Sequence, residues 1–257
     1  TVSFSSTDYV GHNFGVNSRE MEDTFLRLDR NIASLLDFLD SRVGKGEYTL
    51  FLTADHGGIH VPAYLETLKV PAGYFSMRDL RKDLETYARD TFKAGDLIKN
   101  ISNYQVFLDH ELLETSGLDP LAVEEKLQAY LLKYAGIDKV FTRTQLEGPS
   151  YEHGLGRPAQ LGFNQKRSGD LMFLLDPGTI AYKGTGSTHG SGLSYDTHVP
   201  LLFFGKGIPS GSSSERSEIV DIAPTVSSLL GISFPSLSTG KPLSVMLDQN
   251  KNQQKRN

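Results

Sequence analysis

The most regular pattern of apolar and polar residues lies between positions 18 and 43. Apolar residues recur there at steps of three and four, as in Met21, Phe25, Leu28, Ile32, Leu35, Leu36, Leu39 and Val43. This period predicts one long amphipathic helix, with Ser18 as its N-cap and Gly44 just beyond its end. Residues 1–6 alternate and predict a short strand, and residues 48–53 predict a strand covered on both faces. Strand, helix and strand in this order predict a βαβ unit in a mainly parallel sheet flanked by helices.

The segment that follows, up to residue 187, is interpreted as an insertion. It is expected to contain helices at 77–92 and 119–134 and strands at 98–108, 139–142 and 170–175. Helices and strands that alternate over so short a stretch predict a small inserted α+β cap. Beyond the cap, an apolar strand is expected at 201–204 and a helix at 222–230, which Gly231 would end.

The chain is therefore expected to be organised as a core with one inserted cap. Residues 1–60 would form core strands and a helix that carry metal ligands, 61–187 the cap and its connecting segments, and 188–247 the return to the core. Residues 248–257, DQNKNQQKRN, have almost no apolar side chains and are predicted to be a disordered tail.

Composition narrows the classes of function. The chain has 257 residues, a formal net charge of −5 and no cysteine. Thiolate sites and disulfides are thereby excluded, so any metal would be held by Asp, Glu or His. Basic residues form no block before the last few positions, which argues against a nucleic-acid partner. No apolar run approaches the roughly 18 residues of a membrane-spanning segment.

Three short motifs carry the candidate chemistry. STDYVGH places Asp8 and His12 four residues apart, TADHGG places Asp55 next to His56, and GSTHGSG places His189 in a turn rich in glycine. Each is expected at an end of a predicted strand, on the edge where open parallel sheets bind ligands. Neutral imidazole and carboxylate suit zinc, and also manganese or iron.

Each motif also has an ordinary structural interpretation. An Asp-x-x-x-His pair or a histidine between glycines is common without a metal, and Asp-His-Gly is common in turns. Their coincidence on one predicted edge favours a metal site over three unrelated turns. The remaining histidines, at 60, 110, 153 and 198, are interpreted as loop or structural residues.

The motifs together resemble a known family. TDYVGHNFG, FLTADHGG and GSTHGSG, with VPLLFFGKGI and EIVDIAPTVSSLLGI, occur in the order found in the alkaline phosphatase superfamily. The sequence is most similar there to the nucleotide pyrophosphatase/phosphodiesterase-like branch and to PafA-type zinc alkaline phosphatases. This resemblance implies an alkaline-phosphatase-like α/β sandwich of which the chain is the C-terminal portion, the N-terminal half of the fold being absent.

The resemblance also implies a site. Asp8, His12 and His189 match the ligands of one zinc, and Asp55 and His56 match two ligands of a second. The family's Thr or Ser nucleophile has no match in this sequence, so no catalytic residue is identified, and substrate-binding residues are unknown. The intact enzyme would hold two zinc ions, and this chain one.

The activity implied is hydrolysis of phosphate monoesters by the parent enzyme, the chain alone being incomplete and inactive. Two alternatives stay open: a phosphodiesterase or nucleotide pyrophosphatase of the same superfamily, and a non-catalytic metal-binding domain. The expected partners are a phosphate ester and an N-terminal segment of the same polypeptide, and the implied location is periplasmic or secreted.

Overall fold

The computed structural model describes residues 1–247, so the predicted disordered tail at 248–257 lies outside the described residues. The helices are α1 Ser6–Phe14, α2 Arg19–Val43, α3 Pro62–Thr67, α4 Met77–Phe92, α5 His110–Thr115, α6 Pro120–Leu131, α7 Arg143–Glu147, α8 Gly156–Gly162, α9 Ser194–Thr197, α10 Ile222–Leu230 and α11 Ser244–Leu247. The strands are β1 Thr49–Thr53, β2 Gly73–Tyr74, β3 Ile98–Ser102, β4 Gln105–Leu108, β5 Ile137–Thr142, β6 Leu171–Leu175, β7 Thr179–Ile180 and β8 Leu201–Gly205.

The chain divides into two compact units. The first comprises Thr1–Leu28 and Asp55–Val199, and the second comprises Asp29–Ala54 and the chain from Pro200 onward. The first unit contains a four-stranded antiparallel sheet of order β3-β4-β6-β5 and a short parallel pair, β2-β7. The second contains an antiparallel pair, β1-β8, in which Phe51 lies opposite Phe203.

The main hydrophobic core lies in the predicted cap. Helices α4 and α6 contribute leucines that are completely buried against the four-stranded sheet, including Leu80, Leu84 and Leu127. Phe173 of β6 is completely buried in the same cluster. These apolar side chains have the spacing of one helical face or of alternate strand positions, which explains why the elements around them were predictable from the sequence.

The first strand and the βαβ unit predicted from the sequence are not formed. Residues 1–4 have no regular structure, and the chain then enters α1. β1 pairs with β8 in the antiparallel direction, so no parallel partner flanks α2 within residues 1–247. The mixed α/β class is as predicted, but parallel pairing within residues 1–247 is confined to β2-β7, so a mainly parallel sheet is not found there.

The strand expected over residues 98–108 is a hairpin. Ser102 and Gln105 are paired across a two-residue turn formed by Asn103 and Tyr104, which have φ values of 49° and 58°. Two left-handed residues make the turn type that matches the twist of paired strands. Asn is favoured in this conformation and Tyr is not, so the sequence signal for the turn was weak.

Candidate metal centre

Helix α1 places Asp8 and His12 on one face. The two residues are four apart in a helix, and Nε2 of His12 lies 3.3 Å from Oδ1 of Asp8. The pair was expected at the end of a strand, and helix α1 corrects that expectation. Helical geometry brings residues i and i+4 together directly, so the pairing needs no further turn.

Two more histidines meet the same carboxylate oxygen. Nε2 of His189 lies 3.5 Å from Oδ1 of Asp8, and Nε2 of His56 lies 3.8 Å from it. The rings of His56 and His189 are stacked, with centroids 3.4 Å apart and an interplanar angle of 13°. Three imidazole nitrogens from distant parts of the chain therefore surround one oxygen of Asp8.

Hydrogen bonds to backbone carbonyls fix the orientation of two of these rings. Nδ1 of His12 donates to the carbonyl oxygen of Ser187 at 2.9 Å, and Nδ1 of His56 donates to the carbonyl oxygen of Gly57 at 2.8 Å. When Nδ1 of a neutral imidazole carries the proton, Nε2 keeps a lone pair. Both rings therefore present a metal-binding nitrogen towards Asp8, in the manner of oriented metal ligands.

Close backbone contacts explain the glycines beside the histidines. A Cβ on Gly57 would collide with the carbonyl oxygen of Tyr195, and a Cβ on Gly186 would collide with that of His12. The amide of Ser187 also donates to the carbonyl of Gly11 at 3.1 Å. Glycine therefore allows the loop before His189 to pack directly on α1.

The electrostatic environment favours neutral imidazole at His189. Burial, followed by the charge of His56, lowers the pKa of His189 below its usual value, while the charge of Asp8 acts in the opposite direction. Neutral imidazole is the form that binds metal. Asp8, His12 and His189 are each partly buried, and their donor atoms lie within 4.8 Å of one another. One carboxylate oxygen and two imidazole nitrogens are a donor set that fits zinc with an open position.

The two residues expected at a second zinc have different surroundings. His56 lies within the cluster around Asp8, as described above. The side chain of Asp55 is 91% exposed and lies 3.8 Å from Nε2 of His56. The structure thus brings together four of the five residues named from the sequence, with Asp55 at the solvent-exposed rim.

Sequence reasoning did not single out Tyr182 or Lys183 beside the cluster. The ring centroid of Tyr182 lies 5.5 Å from that of His12, and Nζ of Lys183 donates to Oδ1 of Asn13 at 3.0 Å. Neither residue forms a motif of its own, and only their position a few residues before His189 could have indicated them. Two other histidines have separate partners: His60 bonds Asn17 and His110 bonds Asp170.

Comparison with known proteins assigns this chain to a family. The family described as type I phosphodiesterase/nucleotide pyrophosphatase matches residues 1–199. Alkaline phosphatase PafA of Elizabethkingia meningoseptica is 42% identical over 248 residues, covering 96% of this chain and 45% of PafA. A protein of Myroides odoratus named calcium-transporting ATPase is 40% identical over 250 residues, covering 96% of this chain and 46% of that protein.

A crystal structure of wild-type PafA superposes with a TM-score of 0.86 at 42% identity, over 93% of this chain and 46% of PafA. The alkaline-phosphatase-like fold expected from the sequence is thereby confirmed. The chain spans about half the length of the relatives that it matches. The family match and these relatives show that the chain belongs to the type I phosphodiesterase/nucleotide pyrophosphatase family of the alkaline phosphatase superfamily.

Proposed function

We propose that this protein hydrolyses phosphate monoesters with the help of zinc held by Asp8, His12 and His189. The observation that carries the proposal is the convergence of imidazole Nε2 atoms on Oδ1 of Asp8, at 3.3 Å for His12 and 3.5 Å for His189. Two relatives, at 42% and 38% identity, are named alkaline phosphatases, which supports phosphate esters as the substrate class.

The residues of this chain would act by holding and neutralising charge. Asp8 supplies a negative charge to the bound cation, and the two histidines supply neutral nitrogens. Zinc bound there would act as a Lewis acid on an oxygen of the phosphoryl group. The hydrogen bond from Nδ1 of His12 to the carbonyl of Ser187 keeps the ring fixed, so that the site is formed before substrate binds.

A second cation site at Asp55 and His56 is part of the proposal. Two protein ligands leave most of a coordination shell to be filled, so this site would need further ligands. We infer that those ligands, and the Thr or Ser nucleophile implied by the family resemblance, lie outside these 257 residues, since the chain spans about half the length of its relatives. A periplasmic or secreted location stays a prediction, and no helix of residues 1–247 has the length and apolar character needed to span a membrane.

A second candidate is the hydrolysis of phosphate diesters. The family that matches residues 1–199 is described as phosphodiesterase and nucleotide pyrophosphatase. The same metal ligands would serve either reaction, because the Lewis acidity that a bound cation would supply is needed for both kinds of ester. The relative rates on a monoester and a diester therefore decide between the candidates.

The first test is zinc binding by the 257-residue chain, measured in competition with a chromophoric chelator. We expect one zinc per chain, lost in His189→Ala and retained in the matched control His153→Ala. The side chain of His153 is 92% exposed and lies beside Glu152. Equal zinc binding by wild type and His189→Ala, or none by wild type, would contradict the proposed centre.

The second test is turnover by a longer polypeptide that joins this chain to a segment carrying a Thr nucleophile. We expect p-nitrophenyl phosphate to be hydrolysed faster than bis(p-nitrophenyl) phosphate, and the 257-residue chain alone to hydrolyse neither. A faster diester reaction would establish the second candidate. Zinc binding with no hydrolysis of either ester would instead indicate a non-catalytic metal-binding domain.

A further inference from the structure

We propose that Asp196 is a positioning residue that ties together the two turns carrying His56 and His189. The proposal rests on the metal centre of the proposed function and adds to it a residue that belongs to none of the three sequence motifs. Asp196 belongs to the short helix α9 and is 4% exposed. A nearly buried carboxylate requires a structural or functional reason, because removing its charge from water is costly.

The side chain of Asp196 holds the turn after His189. Its Oδ2 accepts a hydrogen bond from the backbone amide of Ser191 at 2.8 Å and one from the Ser191 hydroxyl at 2.7 Å. Ser191 follows His189 by two residues, and Gly190 between them has a φ of 113°. A glycine in that conformation gives the turn little stiffness of its own, so the two bonds to Asp196 restrain it.

The backbone of Asp196 holds the turn after His56. Its carbonyl oxygen accepts a hydrogen bond from the amide of Gly57 at 2.7 Å. Gly57 is the residue after His56, and it packs so closely on Tyr195 that no Cβ fits between them. Asp196 is therefore bonded both to Gly57, the residue after His56, and to Ser191, two residues after His189.

The rings of these two histidines stack with centroids 3.4 Å apart. Stacking at this distance requires the two turns to keep a fixed separation, since a shift of either backbone would part the rings. Asp196 is in the right place to fix that separation because it bonds both turns. The consequence is a preformed pair of Nε2 atoms facing Asp8.

The second carboxylate oxygen of Asp196 is also informative. Oδ1 is buried and has no hydrogen-bond partner within the described part of the chain. Asp196 and His189 line the same cavity of about 30 Å³. A buried, partly unsatisfied charge beside a candidate cation site is expected where function, and not stability alone, selects the residue.

The test compares zinc affinity in Asp196→Ala, Asp196→Asn and a matched control, Asp170→Ala. Asp170 resembles Asp196 because it is a buried carboxylate that accepts a hydrogen bond from a backbone amide, that of Leu108. It differs because its side-chain partners, His110 and Arg143, lie outside the metal cluster. We expect Asp196→Ala to weaken zinc binding by about tenfold or more, as is typical of residues that orient ligands. Asp196→Asn keeps an acceptor for Ser191 and is expected to restore most of the affinity.

A second readout needs no metal. In the metal-free wild type, stacking is expected to shift the Cε1 proton signals of His56 and His189 by ring currents, and Asp196→Ala should reduce those shifts. Ser191→Ala, which removes one of the two bonds to Oδ2, should reduce them less. If Asp196→Ala fails to fold, the ring-current shifts of Ser191→Ala test the positioning role of Asp196.

The outcomes separate the two proposals. If Asp196→Ala reduces the ring-current shifts but even the wild type binds no zinc, Asp196 positions the histidines and the proposed function is wrong. If wild type binds zinc and neither affinity nor ring shifts respond to Asp196→Ala, the role of Asp196 is refuted and the metal centre stands. A loss of affinity as large in Asp170→Ala would also refute it, because the effect would then reflect general destabilisation.

Discussion

Asp8 presents a single carboxylate oxygen to the Nε2 atoms of His12, His56 and His189. The three histidines come from a helix and from two separate turns, so they share no local sequence relation. The protons on Nδ1 of His12 and His56 leave two nitrogen lone pairs facing an anionic oxygen, which they would repel without a compensating cation. The arrangement is therefore best suited to a bound cation, and Asp8 is the residue on which the site depends most.

Replacing Asp8 by asparagine should remove most of the zinc affinity of the chain. The substitution keeps the shape of the side chain but removes the charge, so the loss should exceed the roughly 10–100-fold typical of residues that only orient a ligand. Competition with a chelator measures it. Asp23→Asn is the matched control, since Asp23 is an exposed helix residue bonded to Arg27. An Asp8→Asn chain that binds zinc as wild type does would exclude Asp8 as a ligand.

The contact of Gly186 with α1 gives a second residue-scale prediction. Gly186→Ala places a Cβ against the carbonyl oxygen of His12. The helix or the loop must move, and we expect a loss of about 1–3 kcal/mol in the free energy of unfolding, as for other overpacked sites. Urea denaturation measures the change. Gly184→Ala is the control, because its nearest neighbour would be the Tyr74 hydroxyl at 4.0 Å. Equal free energies of unfolding of the two variants would show that the loop moves away from His12 without a loss of stability.

The five residues proposed as metal ligands could be singled out from the sequence because each lies in a motif with its own chemistry. Asp196, in contrast, acts through bonds to Ser191 and Gly57 that depend on how two distant turns meet. Neither periodicity nor motif spacing contains that information. Candidate ligands can thus be proposed from their residue type and neighbours, whereas hydrogen bonds between distant turns become visible only in three dimensions.

At the scale of elements, the long helices α2, α4 and α6 were predictable, as was the nine-residue α10, whereas the equally short α1 was not. Helix α4 begins and ends at the residues expected from the sequence, 77 and 92. Helix α1 was missed because tertiary contacts stabilise it. Gly11 is buried in α1, where an added Cβ would lie 3.2 Å from Met21, and its carbonyl accepts the amide of Ser187. A segment of nine residues gains little stability from propensity alone, so such contacts decide its structure.

The start of α6 allows a prediction at this scale. Asp119 caps the helix, its carboxylate accepting from the amides of Leu121 and Ala122 at 3.3 and 3.4 Å. Asp119→Ala leaves these amides without that partner and should reduce the free energy of unfolding by about 1 kcal/mol. Glu125→Ala, at an exposed position of the same helix, should change it by less than about 0.5 kcal/mol. Urea unfolding curves of both variants check the difference, and equal effects would mean that the cap does not contribute.

At the scale of the whole molecule, the pair β1-β8 is unusual for a strand pair so rich in apolar residues. Phe51 is 44% exposed, Leu202 56% and Phe204 54%. The sequence predicted that β1 would be covered on both faces, and within residues 1–247 it is not. Apolar pattern alone indicates that a strand is suited to burial, but it does not show what covers it.

The exposed strand pair should make the chain bind apolar dyes. The double variant Leu202→Thr/Phe204→Thr keeps residues suited to a strand and removes apolar surface, so it should lower the fluorescence of bound anilinonaphthalene sulfonate. Zinc affinity should not change. Leu161→Thr, on α8 and 70% exposed, is the control and should have a smaller effect. Unchanged dye binding in the double variant would show that this surface is not accessible in solution.

The short parallel pair β2-β7 brings together the two ends of the stretch between residues 73 and 180. Gly73 lies opposite Thr179, so the chain leaves this stretch beside the point where it entered. The proposed metal ligands all lie outside it, yet Tyr104 and Leu174 within it line the cavity beside His189. A stretch with adjacent ends can be exchanged as a unit. Recombination or protein engineering could therefore replace it and reshape the wall of that cavity, while Asp8, His12, His56 and His189 stay in place.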